Sequence, residues 1–169
     1  MGNLLDRTTG FGTLGLELTR VQVRDKDGAD TLRCACGDAL DIAVEAVARK
    51  AVKRPNLGYA INSKAGALLF SVGILNHDVV LADLAADERC RAVFKVMMNL
   101  APGSYALSVL AADNDAAETG DSGVHHDTRE RLAELIVTES AASRRFDGIS
   151  ALPLVADHAL VPEFRKLVV

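Results

Sequence analysis

Apolar and polar positions alternate with a period of two along most of this 169-residue chain, which is how a half-buried strand writes itself into sequence. The clearest stretch runs from Ala92 to Ala112. Ala92, Phe94, Val96 and Met98 share one face of a first run, and Tyr105, Leu107, Val109 and Ala111 share one face of a second. Between them Leu100, Pro102 and Gly103 supply a corner, because proline pre-sets φ and glycine accepts positive φ without steric cost. The two runs read as the central hairpin of an antiparallel sandwich. Tyr105 stands where such a domain places the tyrosine whose hydroxyl ties a strand back to the preceding loop; an ordinary half-buried hairpin tyrosine fits the same pattern.

The rest of the chain divides in the same way. Leu14, Leu16 and Leu18 alternate, then the phase moves to Val21 and Val23, which predicts a β-bulge near Thr19 and Arg20. Asp25-Lys26-Asp27-Gly28 is a turn whose Asp-Gly pair signals a hairpin. Gly37-Asp38 introduces Leu40, Ile42, Val44 and Ala46, expected as a strand although the alanines and a cap at Asp38 would also suit a helix. Pro55-Asn56 opens a strand over 57–61, and the turn at 62–66 returns it as a strand over 67–75, a second hairpin. A connection over 77–87 with one helical turn leads to the strand beginning near Glu88, and the acidic stretch 113–123 reads as a surface loop.

Residues 126–140 carry two conflicting signals. Asp127 with Glu130 would make a capping box, and Leu132, Leu135 and Ile136 have helical spacing. The β-branched run ending at Thr138 and the need to close the sheet favour a short turn followed by a strand, and that is the expectation. Phe146, Gly148, Ile149, Leu152 and Pro153 suit one more short strand, and the apolar end LVPEFRKLVV needs a partner surface. The chain therefore reads as a lead-in over 1–10, a sandwich over 11–153 and a tail over 154–169.

Composition narrows the function classes. A hydrophobic fraction of 49% with 25% charged residues suits a soluble globular protein. No apolar run approaches the roughly 20 residues of a membrane helix, and MGNLLDRTTG lacks the basic start and apolar core of a signal peptide, so a cytoplasmic location without membrane insertion is expected. A net charge of -4 offers no electrostatic reason to expect nucleic acid. Cys34, Cys36 and Cys90 are odd in number and lack the second pair of a zinc site, so they are expected as reduced, partly buried thiols. With 4% aromatic residues and no tryptophan, binding must rest on hydrogen bonds and shape, with at most Tyr59 or Tyr105 as a stacking platform.

Three patterns that could carry other chemistry are weak in context. Gly10, Gly12 and Gly15 spell G-x-G-x-x-G, but a dinucleotide turn needs a strand before it and a helix after it, whereas here a polar tail precedes and a strand follows. His125, His126 and Asp127 could be metal ligands or a dyad, yet adjacent histidines on a strand face opposite ways and no nucleophile elbow accompanies them. Arg89, Arg91 and Lys95 alternate on one face, which reads as solvation or edge protection before it reads as a site for an anionic polymer. No cofactor, metal or catalytic residue is expected.

The order of motifs resembles one family. The glycine-led first strand, the Asp-Gly turn, Gly-Asp before a long strand, PNLGYAINSKAGALLF, NLAPGSYALSVLAAD, HHDTRERLAELIV and FDGISALP together resemble the C-terminal carbohydrate-binding domain of the ATP-binding subunit of bacterial ABC transporters that export O-antigen polysaccharide. The resemblance spans roughly 11–153. It implies an all-β, immunoglobulin-like antiparallel β-sandwich with jelly-roll likeness, which dimerises, sometimes by exchanging a C-terminal strand. It also implies recognition of the finished, chemically capped end of the O-antigen polysaccharide, at the cytoplasmic face of the inner membrane. The implied partners are a second copy of the chain, a nucleotide-binding domain preceding Met1 and the transporter's membrane subunit. No phosphate-binding G-x-x-x-x-G-K-[ST] occurs in the sequence, so this chain holds no ATPase loop of its own. Two departures fall where a binding surface would lie: Ser71-Val72-Gly73 where the family often has Gly-Thr-Asn, and His125-His126 where an aromatic residue usually precedes the aspartate.

Strand alternation then locates a candidate groove. If Leu57, Tyr59 and Ile61 face the core, Gly58, Ala60 and Asn62 face out; by the same rule Ala106 and Ser108 face out from the strand starting at Tyr105. Small residues on two neighbouring strands leave room for a sugar. The expected floor is Gly58, Ala60, Ala106 and Ser108, with Asn62, Lys64, Ser71 and His126 as polar groups at its edges. Two rivals remain open: a purely structural module that dimerises or docks its transporter, and a small jelly-roll sugar-modifying enzyme with His126 as base.

Overall fold

Among the described residues eight strands form: β1 (Leu16–Asp25), β2 (Arg33–Ala35), β3 (Ala39–Ala48), β4 (Pro55–Ser63), β5 (Leu68–Gly73), β6 (Arg89–Met97), β7 (Gly103–Asp113) and β8 (His125–Thr138). The computed structural model describes residues 3–7, 10–77, 81–113, 123–140 and 146–151. Among these there is no α-helix, and no helix is long and apolar enough to cross a membrane. The strands form a three-stranded sheet in the order β1-β3-β6 and a five-stranded sheet in the order β2-β8-β7-β4-β5. All neighbours run antiparallel except β2, which lies parallel to β8. This is the expected all-β sandwich.

The core is the set of inward faces. Leu16, Ile42, Val44 and Leu57, Leu107, Ala111 are fully enclosed, contributed by opposite sheets. Tyr59 of β4 packs its ring edge-on against Phe94 of β6, with centroids 5.1 Å apart, so an aromatic pair spans the two layers. Both tyrosines proposed as stacking platforms are thus spent inside, Tyr59 at 2% and Tyr105 at 8% exposure.

Several local expectations hold. The register of β1 on β3 shifts between Leu18 and Arg20, the bulge announced by the change of apolar phase. Gly28, at φ 81°, closes the Asp-Gly turn, where Asp25 Oδ1 accepts the amides of Asp27 and Ala29. The Tyr105 hydroxyl donates to the carbonyl of Ala101 at 2.7 Å, the tie expected of a sandwich tyrosine. The three cysteines are free, two of them buried.

Others are corrected. β6 and β7 do not pair as a hairpin, because the corner at 98–103 carries the chain from the three-stranded sheet to the five-stranded one. After the Asp-Gly turn a single bridge, Arg24 to Asp30, forms before the chain crosses to β2 and the other sheet. The strand expected over 67–75 ends at Gly73 in a 3-10 turn, Ile74–His77. No turn precedes the last strand: β8 is extended from His125 onward. Its apparent helical spacing arises because the register on β7 shifts between Leu107 and Val109, leaving extra residues around Arg131, which has φ 49°. The expected strand near Ile149 is one bridge, Leu100 to Ser150, and Leu152, Pro153, the acidic loop at 114–122 and the tail lie outside the described residues. In the lead-in, the Asn3 amide donates to the carbonyl of Thr19 and its oxygen accepts the amide of Val21, so residues before the first strand are tied to the bulge.

Candidate functional site

The outer face of the five-stranded sheet is set by pairing register. Ala60 of β4 lies opposite Ser108 of β7 on one side and Ser71 of β5 on the other, so three short side chains form a row across three strands. Small residues there leave an open depression of about 430 Å³. Asn62 and Leu68 stand at one side of it, Thr128, Glu130 and Arg131 of β8 at the other. A second, smaller depression of about 170 Å³ adjoins, lined by Lys64, Ala106, Glu134 and again Arg131. Arg131 therefore stands between the two.

The expected groove residues separate accordingly. Ala60, Asn62, Ser71 and Ser108 come together in the larger depression, and Ala106 and Lys64 in the smaller. Gly58 lines neither: it is buried, and a Cβ there would lie 2.6 Å from the carbonyl oxygen of Val72, so the glycine serves the close approach of β5. His126 is a correction as well. At 2% exposure it faces the end of the sandwich, where Nε2 bonds to Asp113 Oδ2 at 2.9 Å and Nδ1 to the hydroxyl of Thr13. The reason is local: β8 shifts register between the partners of Ala111 and Ala112, and His126 is the residue left over. Buried there, the imidazole lines neither depression, which removes the geometric support for His126 as a catalytic base at the groove.

The polar lining residues contributed by β8, Thr128, Glu130 and Arg131, were not anticipated. They belong to the stretch expected as a turn. Read as a strand opposite β7, Thr128 faces Leu110 in register and would have been placed beside the groove.

The surrounding electrostatics are mostly satisfied. On the opposite sheet Arg91 pairs with Glu45 and Lys95 with Asp41 across β6 and β3, so these two cations of the stripe are neutralised on an exposed face. Next to the groove, Ser108 Oγ accepts the backbone amide of Arg131 at 3.0 Å, and Arg131 Nη2 donates to the carbonyl of Lys64 at 3.2 Å. The depression thus offers hydroxyls, one amide, one carboxylate and one guanidinium over an uncharged floor. Among the described residues no group of His, Cys, Asp or Glu could hold a metal ion.

The family model of the Wzt C-terminal domain matches residues 7–152. The chain belongs to that family. A crystal structure of the C-terminal domain of wzt shares the fold, with a TM-score of 0.79 at 16% identity, covering 94% of this chain and 93% of that one. No curated protein matches the chain in sequence. Membership ties this Wzt C-terminal domain to O-antigen ABC transporters, the system implied by the order of its motifs.

Proposed function

We propose that this Wzt C-terminal domain binds O-antigen polysaccharide without catalysing its change, presenting the finished end of the polymer for export. The observation that carries the reading is the row Ser71, Ala60 and Ser108, three short side chains side by side on an open sheet face, bordered by Asn62, Thr128, Glu130 and Arg131. Sugar rings offer alternating donors and acceptors, and this border supplies both kinds. The domain would act at the cytoplasmic face of the inner membrane, with a nucleotide-binding domain of the same subunit and the membrane subunit as partners.

A second reading is favoured by a separate observation. Leu68, Phe70, Met97 and Ile149 are large apolar residues between 45% and 62% exposed, clustered along the edge strands β5 and β6. Such a patch suits a homodimer or a docking surface, with or without glycan binding.

Titration calorimetry with the source strain's own O-polysaccharide, intact and with its non-reducing end removed, tests the proposal. Binding that disappears on end removal supports recognition of the terminus; binding to neither polymer leaves the dimerisation or docking module. Ser108→Trp should fill the depression and abolish binding while the domain stays folded, its unfolding midpoint lowered only by loss of the bond to the Arg131 amide, and unchanged affinity would exclude this face.

A further inference from the structure

Arg131 is the anomaly of the groove. A non-glycine residue at φ 49° inside a strand is strained, and such strain persists only where surrounding contacts impose it. Here two contacts do: the Ser108 hydroxyl holds its amide, and the Lys64 carbonyl holds one end of its guanidinium. They hold the side chain at the junction of the two depressions, and the residue, itself exposed, lies outside the β7–β8 ladder. The guanidinium has five donors, of which one bond is accounted for. Among the described residues no ion pair to a carboxylate is formed by it.

We infer that Arg131 is the specificity-determining residue of the site, and that it reads a single oxyanion, a carboxylate or a phosphate, on the polysaccharide. The inference rests on the glycan reading above and adds the chemistry of the group recognised. A planar fork with free donors pairs two-to-two with either oxyanion, which a lysine ammonium cannot do. Glu130 lies in the same depression and would repel a densely charged polymer. With Asn62 it can accept sugar hydroxyls, so the fitting ligand is a hydroxyl-rich sugar with one isolated anionic group.

The test uses the source strain's O-polysaccharide in three forms: native, with its carboxyl groups reduced to alcohols, and with its phosphoesters removed by hydrofluoric acid. Wild-type affinity should fall about tenfold or more on one of the two treatments, and the treatment that does so names the source of the oxyanion. Arg131→Gly satisfies the backbone and deletes the fork, so it should keep or raise the unfolding midpoint, bind native polymer as weakly as wild type binds the treated form, and no longer distinguish the two. Arg131→Lys should lose most of the discrimination. If both treated polymers bind wild type as well as native polymer does, or if Arg131→Gly still discriminates, the role given to Arg131 is overturned while glycan binding stands. If native polymer does not bind wild type at all, the glycan reading falls and this inference with it.

Discussion

Asp127 is fully enclosed, and its carboxylate serves two elements at once. Oδ2 accepts the amide of Leu18 at 3.0 Å, beside the β1 bulge, and both oxygens pair with the guanidinium of Arg129 at 2.9 and 3.1 Å. A buried carboxylate survives only with such compensation, and removing it deletes the acceptor shared by a cation and an amide. Asp127→Ala should therefore cost about 3–5 kcal/mol, read as a lowered urea midpoint; a loss under about 1 kcal/mol would show that Leu18 and Arg129 find substitutes. In the sequence Asp127 was a candidate ligand or cap beside two histidines. Residue type alone could not distinguish those roles from structural pairing, because its partners lie 109 residues away at Leu18 and two away at Arg129.

Among the elements, β6 and β7 show how a correct strand assignment can carry an incorrect pairing. Both were legible from period-two alternation, and so was the Pro-Gly corner between them. Whether a corner closes a hairpin or bridges two sheets depends on which edges are free, and β6 finds β3 while β7 finds β4 and β8. The bridge places Phe94 against Tyr59 of the opposite sheet. Phe94→Ala should cost about 3–5 kcal/mol by leaving a void between the layers, measured by denaturant unfolding; a cost near that of a surface change would mean that the sheets close over the gap. β8 is the reverse case. Its bulge imitates helical spacing, so local pattern misled where long-range pairing decided.

For the whole molecule the buried ionisable groups predict an alkaline limit. Burial pushes the thiols of Cys34 and Cys90 up to about 11 and the phenol of Tyr59 up to about 12, from ordinary values of 9.0 and 10.0. A folded-state pKa above the unfolded one contributes stability that is complete below the unfolded value and is lost as pH rises through the folded one. The urea midpoint should thus hold up to about pH 9 and decline from there towards pH 12, with the thiols slow to react with a disulfide reagent at pH 8. A flat midpoint to pH 11 would show that these groups ionise freely in the fold.

By itself the sequence determined what is local: the strand periods, the bulge near Thr19, the turn chemistry, the tyrosine tie, and the outward row of Ala60 and Ser108, because a side chain's face follows from its neighbours in the chain. Tertiary structure alone decided sheet membership, the burial of His126, the withdrawal of Gly58 and the arrival of Thr128, Glu130 and Arg131 at the groove. Those depend on register between strands distant in sequence, where a shift of one residue exchanges inside for outside.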